Sequence, residues 1–152
     1  MARSWATAYG TSCIRPCDTR SHPDKKAHAV TWLEGDITTT ALPSQAFDVS
    51  LDRAVFHFLT DAAARNAWRQ NLLRALWPGG FVILATFADD GPEKCSGLPV
   101  QRHSESSLQA ALGGAFTMLE SLREIHVTPG GNSQRFVYGL FQRQRQEVRT
   151  RE

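Results

Sequence analysis

Two side chains that can accept a proton follow one short apolar run near the middle of the chain. Residues 47–51 (FDVSL) end at Asp52 and Arg53, and His57 lies four residues further on within the sequence VFHF. A carboxylate and an imidazole can each take a proton from a nucleophile, so Asp52 and His57 are candidate catalytic bases. Two simpler roles stay open. Asp52 can pair with Arg53 where a helix begins, and His57 can be a hydrogen-bonded core residue.

Cysteine and histidine elsewhere in the chain offer weaker chemistry. Cys13, Cys17 and His22 lie close together, but their spacing is not that of a zinc knuckle and no second pair of ligands follows. We therefore expect no metal site. Cys95 lies in a stretch rich in glycine and proline with a single cationic neighbour, so an inert loop cysteine is expected. Three cysteines, an odd number, favour a reducing compartment over a disulfide framework.

The composition excludes several classes of protein. The chain has 152 residues, of which 41% are hydrophobic, and this is enough for one globular core. A net charge of +2, from 17 basic and 15 acidic residues, predicts no attraction to nucleic acid or anionic lipid. No apolar stretch approaches the roughly 18 residues that cross a bilayer, and the N-terminus lacks the apolar core of a secretory signal. We therefore expect a cytoplasmic protein without a membrane partner.

Turn residues and apolar runs divide the chain into three parts. Residues 1–29 hold no sustained periodicity and are expected to be irregular, residues 30–143 alternate strand and helix patterns, and residues 144–152 form a polar tail. Thr60 and Ser104 are the expected N-caps of the first and second helices. The first helix is expected to carry an apolar stripe made of Trp68, Leu72, Leu73 and Leu76. The predicted elements are strands over 30–34, 47–51 and 81–87, helices over 61–77 and 105–112, and a hairpin of 116–127 with 135–142. This order predicts an α/β fold whose sheet ends in an antiparallel hairpin.

Four segments, taken together, resemble the class I S-adenosylmethionine-dependent methyltransferases. They are residues 30–39 (VTWLEGDITT), 48–61 (DVSLDRAVFHFLTD), 73–87 (LRALWPGGFVILATF) and 90–100 (DGPEKCSGLPV). Their order is similar to the family's third, fourth and fifth strands and the loop after the fifth, and residues 134–138 resemble its closing strand. The resemblance implies an incomplete Rossmann-like methyltransferase sheet with a closing antiparallel hairpin. It also implies methyl transfer from S-adenosylmethionine to a small-molecule acceptor.

The resemblance places the cofactor's adenine at one turn and its sulfonium at another. Asp36 takes the position of the acidic residue that contacts adenine in this family, and Ile37 would pack on the ring. The alternative is that Asp36 only caps a turn. Leu51, Asp52 and Arg53 take the position that borders the sulfonium, because ligands bind at the carboxyl edge of such sheets.

The resemblance also implies a substrate cleft beside these residues. Phe56 and His57 follow the fourth strand and are expected to face the acceptor. Asp52 or His57 would take a proton from a poorly ionised nucleophile. Arg102 and His103 end the loop after the fifth strand and are further candidates for contact with the acceptor.

The family's glycine-rich turn after the first strand is not found upstream of residue 30, where Gly10 is the only glycine. We therefore expect a truncated domain that is weak or inactive in methyl transfer. The alternative is a non-catalytic remnant or assembly module that pairs with another chain. A nicotinamide-dependent oxidoreductase is disfavoured because no phosphate-binding fingerprint is present.

Loss of the first two strands would leave the strand at 30–36 without its neighbour. We expect that strand to pair directly with residues 47–52. Two other outcomes stay open, because unpaired backbone groups at a sheet edge need partners. N-terminal residues can cover the gap, or a second copy can cover it and form a homodimer through the exposed sheet edge.

Overall fold

A computed structural model describes the backbone of residues 4–7 and the whole of residues 33–145. The elements in chain order are β1 (Ser4–Thr7), β2 (Phe47–Arg53), α1 (Ala62–Ala75), β3 (Leu76–Phe87), β4 (Lys94–Cys95), β5 (Leu98–Pro99), α2 (Glu105–Leu112), β6 (Phe116–Val127) and β7 (Ser133–Arg143). The main sheet has five strands in the order β1-β2-β3-β7-β6. The first three strands are parallel, and β7 is antiparallel to both β3 and β6. The predicted α/β fold with a closing antiparallel hairpin is therefore confirmed.

The outer side of β2 is paired with the N-terminal strand β1. Ser4 lies beside Val49 and Thr7 beside Asp52 in a parallel register. These four residues had been expected to belong to an irregular segment, and the structure corrects that expectation for them. The pairing supplies the backbone hydrogen-bond partners that this side of β2 requires.

The expected pairing of residues 30–36 with residues 47–52 is wrong. Residues 33–36 lie outside any strand, and residues 30–32 lie outside the described part of the chain. The physical reason is that β1 already occupies that side of β2. Of the three outcomes considered, coverage of the gap by N-terminal residues is the one that the structure shows, and β1 becomes the outer strand on this side of the sheet.

The central strand β3 pairs with β2 on one side and with β7 on the other. It begins at Leu76, five residues before the predicted start, because α1 ends at Ala75 and Leu76 is already extended, with φ −84° and ψ 141°. At Gly80 an added Cβ atom would lie 2.9 Å from the carbonyl oxygen of Asp48. Glycine at this position therefore lets β3 approach β2 closely.

The closing hairpin agrees with its prediction. β6 and β7 pair along their length, from Phe116 beside Arg143 to Val127 beside Ser133. The connecting turn is closed by a hydrogen bond from the backbone N–H of Gly131 to the carbonyl oxygen of Thr128, at 2.9 Å. β6 is the outer strand on the side of the sheet opposite β1.

Both α-helices begin at polar caps. Asp61 accepts a hydrogen bond from the backbone N–H of Ala64 at 2.8 Å and is the N-cap of α1, one residue after the expected Thr60. Ser104 caps α2 as predicted and forms a capping box with Ser107. Neither helix in the described part of the chain is long and apolar enough to cross a bilayer.

One face of the sheet carries both helices and the main core. Its buried members are Phe56, Leu59, Trp68, Leu72, Leu76, Val82, Leu84, Ala88, Leu108, Leu112, Phe116, Val137 and Phe141. Trp68 is 1% exposed, and its ring centroid lies 4.6 Å from that of Phe56. A smaller cluster of Ala85, Phe87 and Phe136 lies on the opposite face, near the carboxyl end of β3. The predicted apolar stripe of α1 therefore builds the main core.

Replacement of Trp68 by alanine is predicted to lower the free energy of unfolding by about 3–5 kcal/mol, because a buried aromatic side chain is lost and a cavity remains. The matched control is Trp77→Ala, since Trp77 is 47% exposed and its loss should cost less than about 1 kcal/mol. Urea denaturation followed by circular dichroism measures both changes. Equal losses in the two variants would contradict the central position of Trp68 in the core.

Candidate functional site

The carboxyl ends of three parallel strands meet at one edge of the sheet. β1 ends at Thr7, β2 at Arg53 and β3 at Phe87. Open α/β sheets bind their ligands outside this edge, so it is the candidate site. The turn that follows Arg53 and the loop that follows Phe87 bring most of the predicted site residues to this end of the molecule.

Asp52 is fully buried next to the end of β2. Its Oδ1 accepts hydrogen bonds from the backbone N–H groups of Val55, at 3.2 Å, and Phe56, at 3.0 Å. These bonds stabilise the short 3₁₀ turn Phe56–Phe58 that follows the strand. The carboxylate is therefore held in a fixed position beside β1.

His57 is fully buried within that turn. Its Nδ1 lies 3.4 Å from the backbone nitrogen of Phe87, and its carbonyl oxygen accepts a hydrogen bond from the N–H of Gln101 at 2.7 Å. Burial, followed by repulsion from His103, lowers the pKa of His57 to about 4, so the imidazole is neutral at pH 7. The structure thus places His57 in the packed role and not in an open cleft.

Phe56 and His103 lie in the same buried layer. Phe56 is 0% exposed and packs against Trp68 in the main core, while His103 is 4% exposed with its ring centroid 5.5 Å from that of Phe56. The Nδ1 of His103 lies 3.2 Å from the hydroxyl of Ser107. Burial, followed by repulsion from Arg65, lowers the pKa of His103 to about 4. These two residues, which were predicted to contact the acceptor, are therefore packed in the core below the carboxyl edge of the sheet.

Arg53 reaches across the sheet, away from β1. Its Nε donates a hydrogen bond to the hydroxyl of Tyr138 at 2.9 Å, and its guanidinium lies 4.6 Å from the ring centroid of Phe136. Leu51 lies two residues before the end of β2 and is 40% exposed. Of the three residues predicted at the sulfonium, Leu51 and Asp52 lie beside Ala6 and Thr7 at the end of β1, and Arg53 is turned toward β7.

Asp36 and Ile37 lie apart from the candidate site. The Oδ1 of Asp36 accepts hydrogen bonds from the N–H and hydroxyl groups of Thr38, both at 2.7 Å, and these bonds lower the pKa of the Asp36 carboxyl. The carbonyl oxygen of Ile37 accepts a hydrogen bond from Nδ2 of Asn71 at 3.0 Å. Asn71 lies ten residues beyond the cap Asp61, about 15 Å along α1 and toward the other edge of the sheet. Asp36 therefore has the turn-capping role in this structure.

The loop after β3 contains a shallow cavity of about 400 Å³. The cavity is lined by Asp89, Glu93, Val100, Gln101 and Arg102. Arg102, a predicted substrate residue, donates hydrogen bonds to the carbonyl oxygen of Gly91, at 3.1 Å, and to Glu93, at 3.3 Å. Val100 and Cys95 pack against the cluster that contains Phe87, so the cavity adjoins the end of β3.

Ion pairs formed by Arg123 of β6 and Arg135 of β7 hold this loop, and no local sequence pattern predicts them. Arg123 donates two hydrogen bonds to Glu105, at 2.7 and 2.8 Å, and a third to Asp89 at 2.8 Å. Arg135 donates to Asp90 at 2.8 Å. Arg123 holds the pKa of Glu105 at about 2 and that of Asp89 below its usual range. The partners come from β6, β7, α2 and the loop, so only the folded chain brings them together.

Comparison with known proteins identifies the architecture. The family model described as "Methyltransferase domain" matches residues 4–84, more than half of the chain, and begins where β1 begins. The earlier resemblance began at residue 30, so the match extends the likeness to the N-terminal strand. Residues 8–32, which include Gly10 and the candidate ligands Cys13, Cys17 and His22, lie outside the described part of the chain.

Three solved methyltransferase structures are similar to this chain. The 1,6-didemethyltoxoflavin N1-methyltransferase of Burkholderia thailandensis, with bound 1,6-didemethyltoxoflavin and S-adenosylhomocysteine, has a TM-score of 0.68 and 16% identity over 93% of this chain and 61% of its own. An S-adenosylmethionine-dependent methyltransferase of Methanosarcina mazei has a TM-score of 0.59 and 14% identity, over 72% of this chain and 65% of its own. The N-methyltransferase NodS of Bradyrhizobium japonicum, with S-adenosylhomocysteine, has a TM-score of 0.54 and 18% identity, over 74% of this chain and 54% of its own.

These similarities show the fold. The chain spans between 54% and 65% of the length of the three similar structures. No curated protein sequence matches it significantly.

Because the imidazoles of His57 and His103 are buried, we predict that the free energy of unfolding falls in mild acid. Their folded pKa of about 4 lies below the usual value of 6.5, so the unfolded chain binds protons more readily than the folded protein between these values. The neutral imidazoles contribute their full stability above pH 6.5, and this contribution is lost as the pH falls toward 4 and the unfolded chain takes up protons. Between pH 7 and pH 5 the free energy of unfolding should fall by about 2 kcal/mol for each histidine.

Urea denaturation at the two pH values measures this fall, and the variants His57→Gln and His103→Gln should each reduce it. NMR titration of the wild-type protein gives a direct check, because the ring signals of His57 and His103 should stay constant above pH 5. Titration of both rings near pH 6.5 would contradict their placement.

Proposed function

Because this chain belongs to the methyltransferase domain family, we propose that it transfers a methyl group from S-adenosylmethionine to a small-molecule acceptor. The observation that carries the proposal is the parallel pairing of β1 with β2, which sets Thr7 beside Asp52 at the carboxyl edge. This edge is where open α/β sheets bind ligands. Two of the similar structures contain S-adenosylhomocysteine, the product that methyl transfer leaves.

Asp52 is the described side chain best suited to the methyl donor. Its carboxylate attracts a positive charge such as a sulfonium, and burial strengthens that attraction. The N–H groups of Val55 and Phe56 fix one carboxylate oxygen, so the group is positioned before a ligand binds. We assign Asp52 the role of orienting the sulfonium end of the cofactor.

The described residues offer fewer contacts to the adenine end of the cofactor than to its sulfonium end. Ile37 accepts a hydrogen bond from Asn71 of α1, and Asp36 accepts hydrogen bonds from Thr38, so we assign neither of them the adenine contact that the resemblance implied. Arg53 is engaged with Tyr138 on β7. The proposal therefore includes cofactor binding that is weaker than in a complete methyltransferase domain.

S-adenosylmethionine, when bound, would supply a methyl group to the acceptor: the acceptor's nucleophilic atom would bond to the methyl carbon as the carbon–sulfur bond breaks, and the electron pair of that bond would stay on sulfur, which leaves as a neutral thioether. The chain then contributes alignment of the two molecules and exclusion of water. We assign the acceptor to the cavity in the loop after β3, with Arg102 as a polar contact. His57 is assigned a positioning role, because its carbonyl oxygen holds the N–H of Gln101 at the cavity wall.

A second candidate function is a non-catalytic module that pairs with another chain. The observation that favours it is the divergence of the predicted cofactor residues. Asp36 caps a turn beside α1, and Arg53 crosses to Tyr138, so these side chains do not converge on one ligand. The two functions differ in whether the carboxyl edge binds the methyl donor at all.

Calorimetric titration with S-adenosylmethionine and with S-adenosylhomocysteine tests the proposal. The wild-type chain should bind both, and Asp52→Asn should weaken binding of the cationic sulfonium about tenfold while leaving binding of the neutral thioether nearly unchanged. The matched control is Asp48→Asn, near the opposite end of β2, which should alter neither affinity.

Absence of heat with both ligands at millimolar concentration would contradict the enzymatic proposal and favour the module. Equal weakening of both ligands by Asp52→Asn would contradict the assigned role of Asp52, because the sulfur charge would then not matter.

A further inference from the structure

A second cavity, of about 180 Å³, lies at the end of the sheet opposite the candidate site. It is formed by the first residues of β3 and β6 and by the end of β7 with the two residues that follow. The lining residues are Gly79, Thr117, Gln142, Arg143, Gln144 and Arg145. All six belong to the described part of the chain, and none of them has a carboxylate. Because two of them are arginines, the lining carries positive charge and no negative charge.

Arg145 lies close over the turn at Gly79. The φ angle of Gly79 is +87°, and a Cβ atom added there would lie 3.0 Å from Nε of Arg145 and 3.6 Å from its Nη2. The glycine therefore leaves room for the guanidinium at the cavity wall. Among the described residues, Arg145 forms no ion pair. Its N–H donors are thus not used by a carboxylate of the described chain.

Arg143 is half-buried and is held at the cavity by the backbone. Its Nη1 donates a hydrogen bond to the carbonyl oxygen of Leu76. Arg143 also forms no ion pair with any described residue. Burial lowers the pKa of the Arg143 guanidinium, because the cation loses hydration that no carboxylate here replaces. A bound anion would offset this loss of hydration.

The neutral side chains of the cavity add hydrogen-bond donors. Nε2 of Gln142 donates to the carbonyl oxygen of Gly79 at 3.2 Å, and Nε2 of Gln144 donates to Oγ1 of Thr117 at 3.1 Å. Since the Thr117 oxygen is the acceptor in that bond, its hydroxyl proton can be donated to a ligand. The carbonyl oxygens of Leu76 and Gly79 are each already bonded. The cavity therefore offers a ligand mainly donors.

We infer that this cavity binds the phosphate group of a small molecule. The guanidinium groups of Arg143 and Arg145 and the hydroxyl of Thr117 supply the donors, and the planar guanidinium matches phosphate oxygens with paired N–H groups. Inorganic phosphate and a phosphate monoester present the same oxygens, so both fit this chemistry. A nucleic acid does not, because a cavity of this size holds one phosphate group and the net charge of the whole chain is only +2.

This site is separate from the proposed methyl-transfer site. The strand β3 connects the two, and it extends from Gly79 to its carboxyl end at Phe87 over roughly 25 Å. None of the residues assigned to the methyl donor or to the acceptor lines the second cavity. The inference does not rest on cofactor binding, so it and the proposed enzymatic function succeed or fail separately.

Titration of the nitrogen-labelled full chain with inorganic phosphate, followed by NMR, tests the site. At constant ionic strength, the backbone amide signal of Gly79 and the Nε–H signals of Arg143 and Arg145 should shift until they saturate. Sodium chloride in place of phosphate should not produce these shifts, because a chloride ion cannot accept paired N–H groups from a guanidinium as phosphate oxygens do.

A parallel titration with glycerol phosphate distinguishes the two sources of the phosphate group. Tighter binding of glycerol phosphate would identify a phosphate monoester as the ligand. Equal or tighter binding of inorganic phosphate would identify the free ion. Both results support a phosphate site in this cavity.

Two arginine variants that change the net charge equally separate the cavity from a general charge effect. Arg145→Gln removes one guanidinium from the cavity and should weaken phosphate binding at least about tenfold. The matched control is Arg135→Gln, near the other end of β7, where the guanidinium pairs with Asp90, and it should leave the affinity unchanged. Arg143→Gln should weaken binding as Arg145→Gln does, and circular dichroism checks that it folds without the bond to Leu76.

Three results would overturn the inference. The first is the absence of saturable shifts with both phosphate probes. The second is equal weakening by Arg145→Gln and Arg135→Gln, because binding would then depend on net charge and not on the cavity. The third is a set of equal shifts in sodium chloride, which would show that ionic screening alone moves the signals.

Discussion

The parallel ladder between β1 and β2 is the constraint on which the rest of the structure depends. β1 has only four residues, yet it pairs the outer side of β2 and makes β2 an internal strand. With β2 internal, its carboxyl end lies between two other strand ends, and the buried Asp52 lies beside Thr7. Without β1, the backbone N–H and C=O groups on the outer side of β2 would be unpaired, and Asp52 would lie on an edge strand.

One continuous set of contacts connects that ladder to the candidate acceptor cavity. Asp52 holds the turn that contains His57, and His57 in turn contacts Phe87 and Gln101 on the loop after β3. Each contact is buried or backbone-mediated, so it is weakly screened by solvent. The outer wall of the loop is tied down differently, by the exposed ion pairs of Arg123. The site therefore has a rigid inner side and a salt-sensitive outer side.

Local patterns predicted most of the fold, and long-range pairing accounts for the rest. The cap at Ser104, the stripe that contains Trp68, and the closing hairpin are each determined by residues close in sequence, so they could be predicted. β1 (SWAT) is too short to show a period, and its partner lies more than 40 residues away, so only the folded sheet reveals it. For the same reason the sequence could name Asp52 and His57 as candidates but left open whether each has a catalytic or a structural role, and only the fold shows that both are buried.

Nuclear Overhauser effects between β1 and β2 test the central claim most directly. In a uniformly labelled wild-type sample, backbone protons of residues 4–7 should show interstrand contacts to residues 49–52, with Ala6 in register with Leu51. The amide protons that form this ladder should exchange slowly with solvent. Absence of these contacts, together with rapid exchange in residues 4–7, would contradict the ladder and with it the assignment of the carboxyl edge as the ligand site.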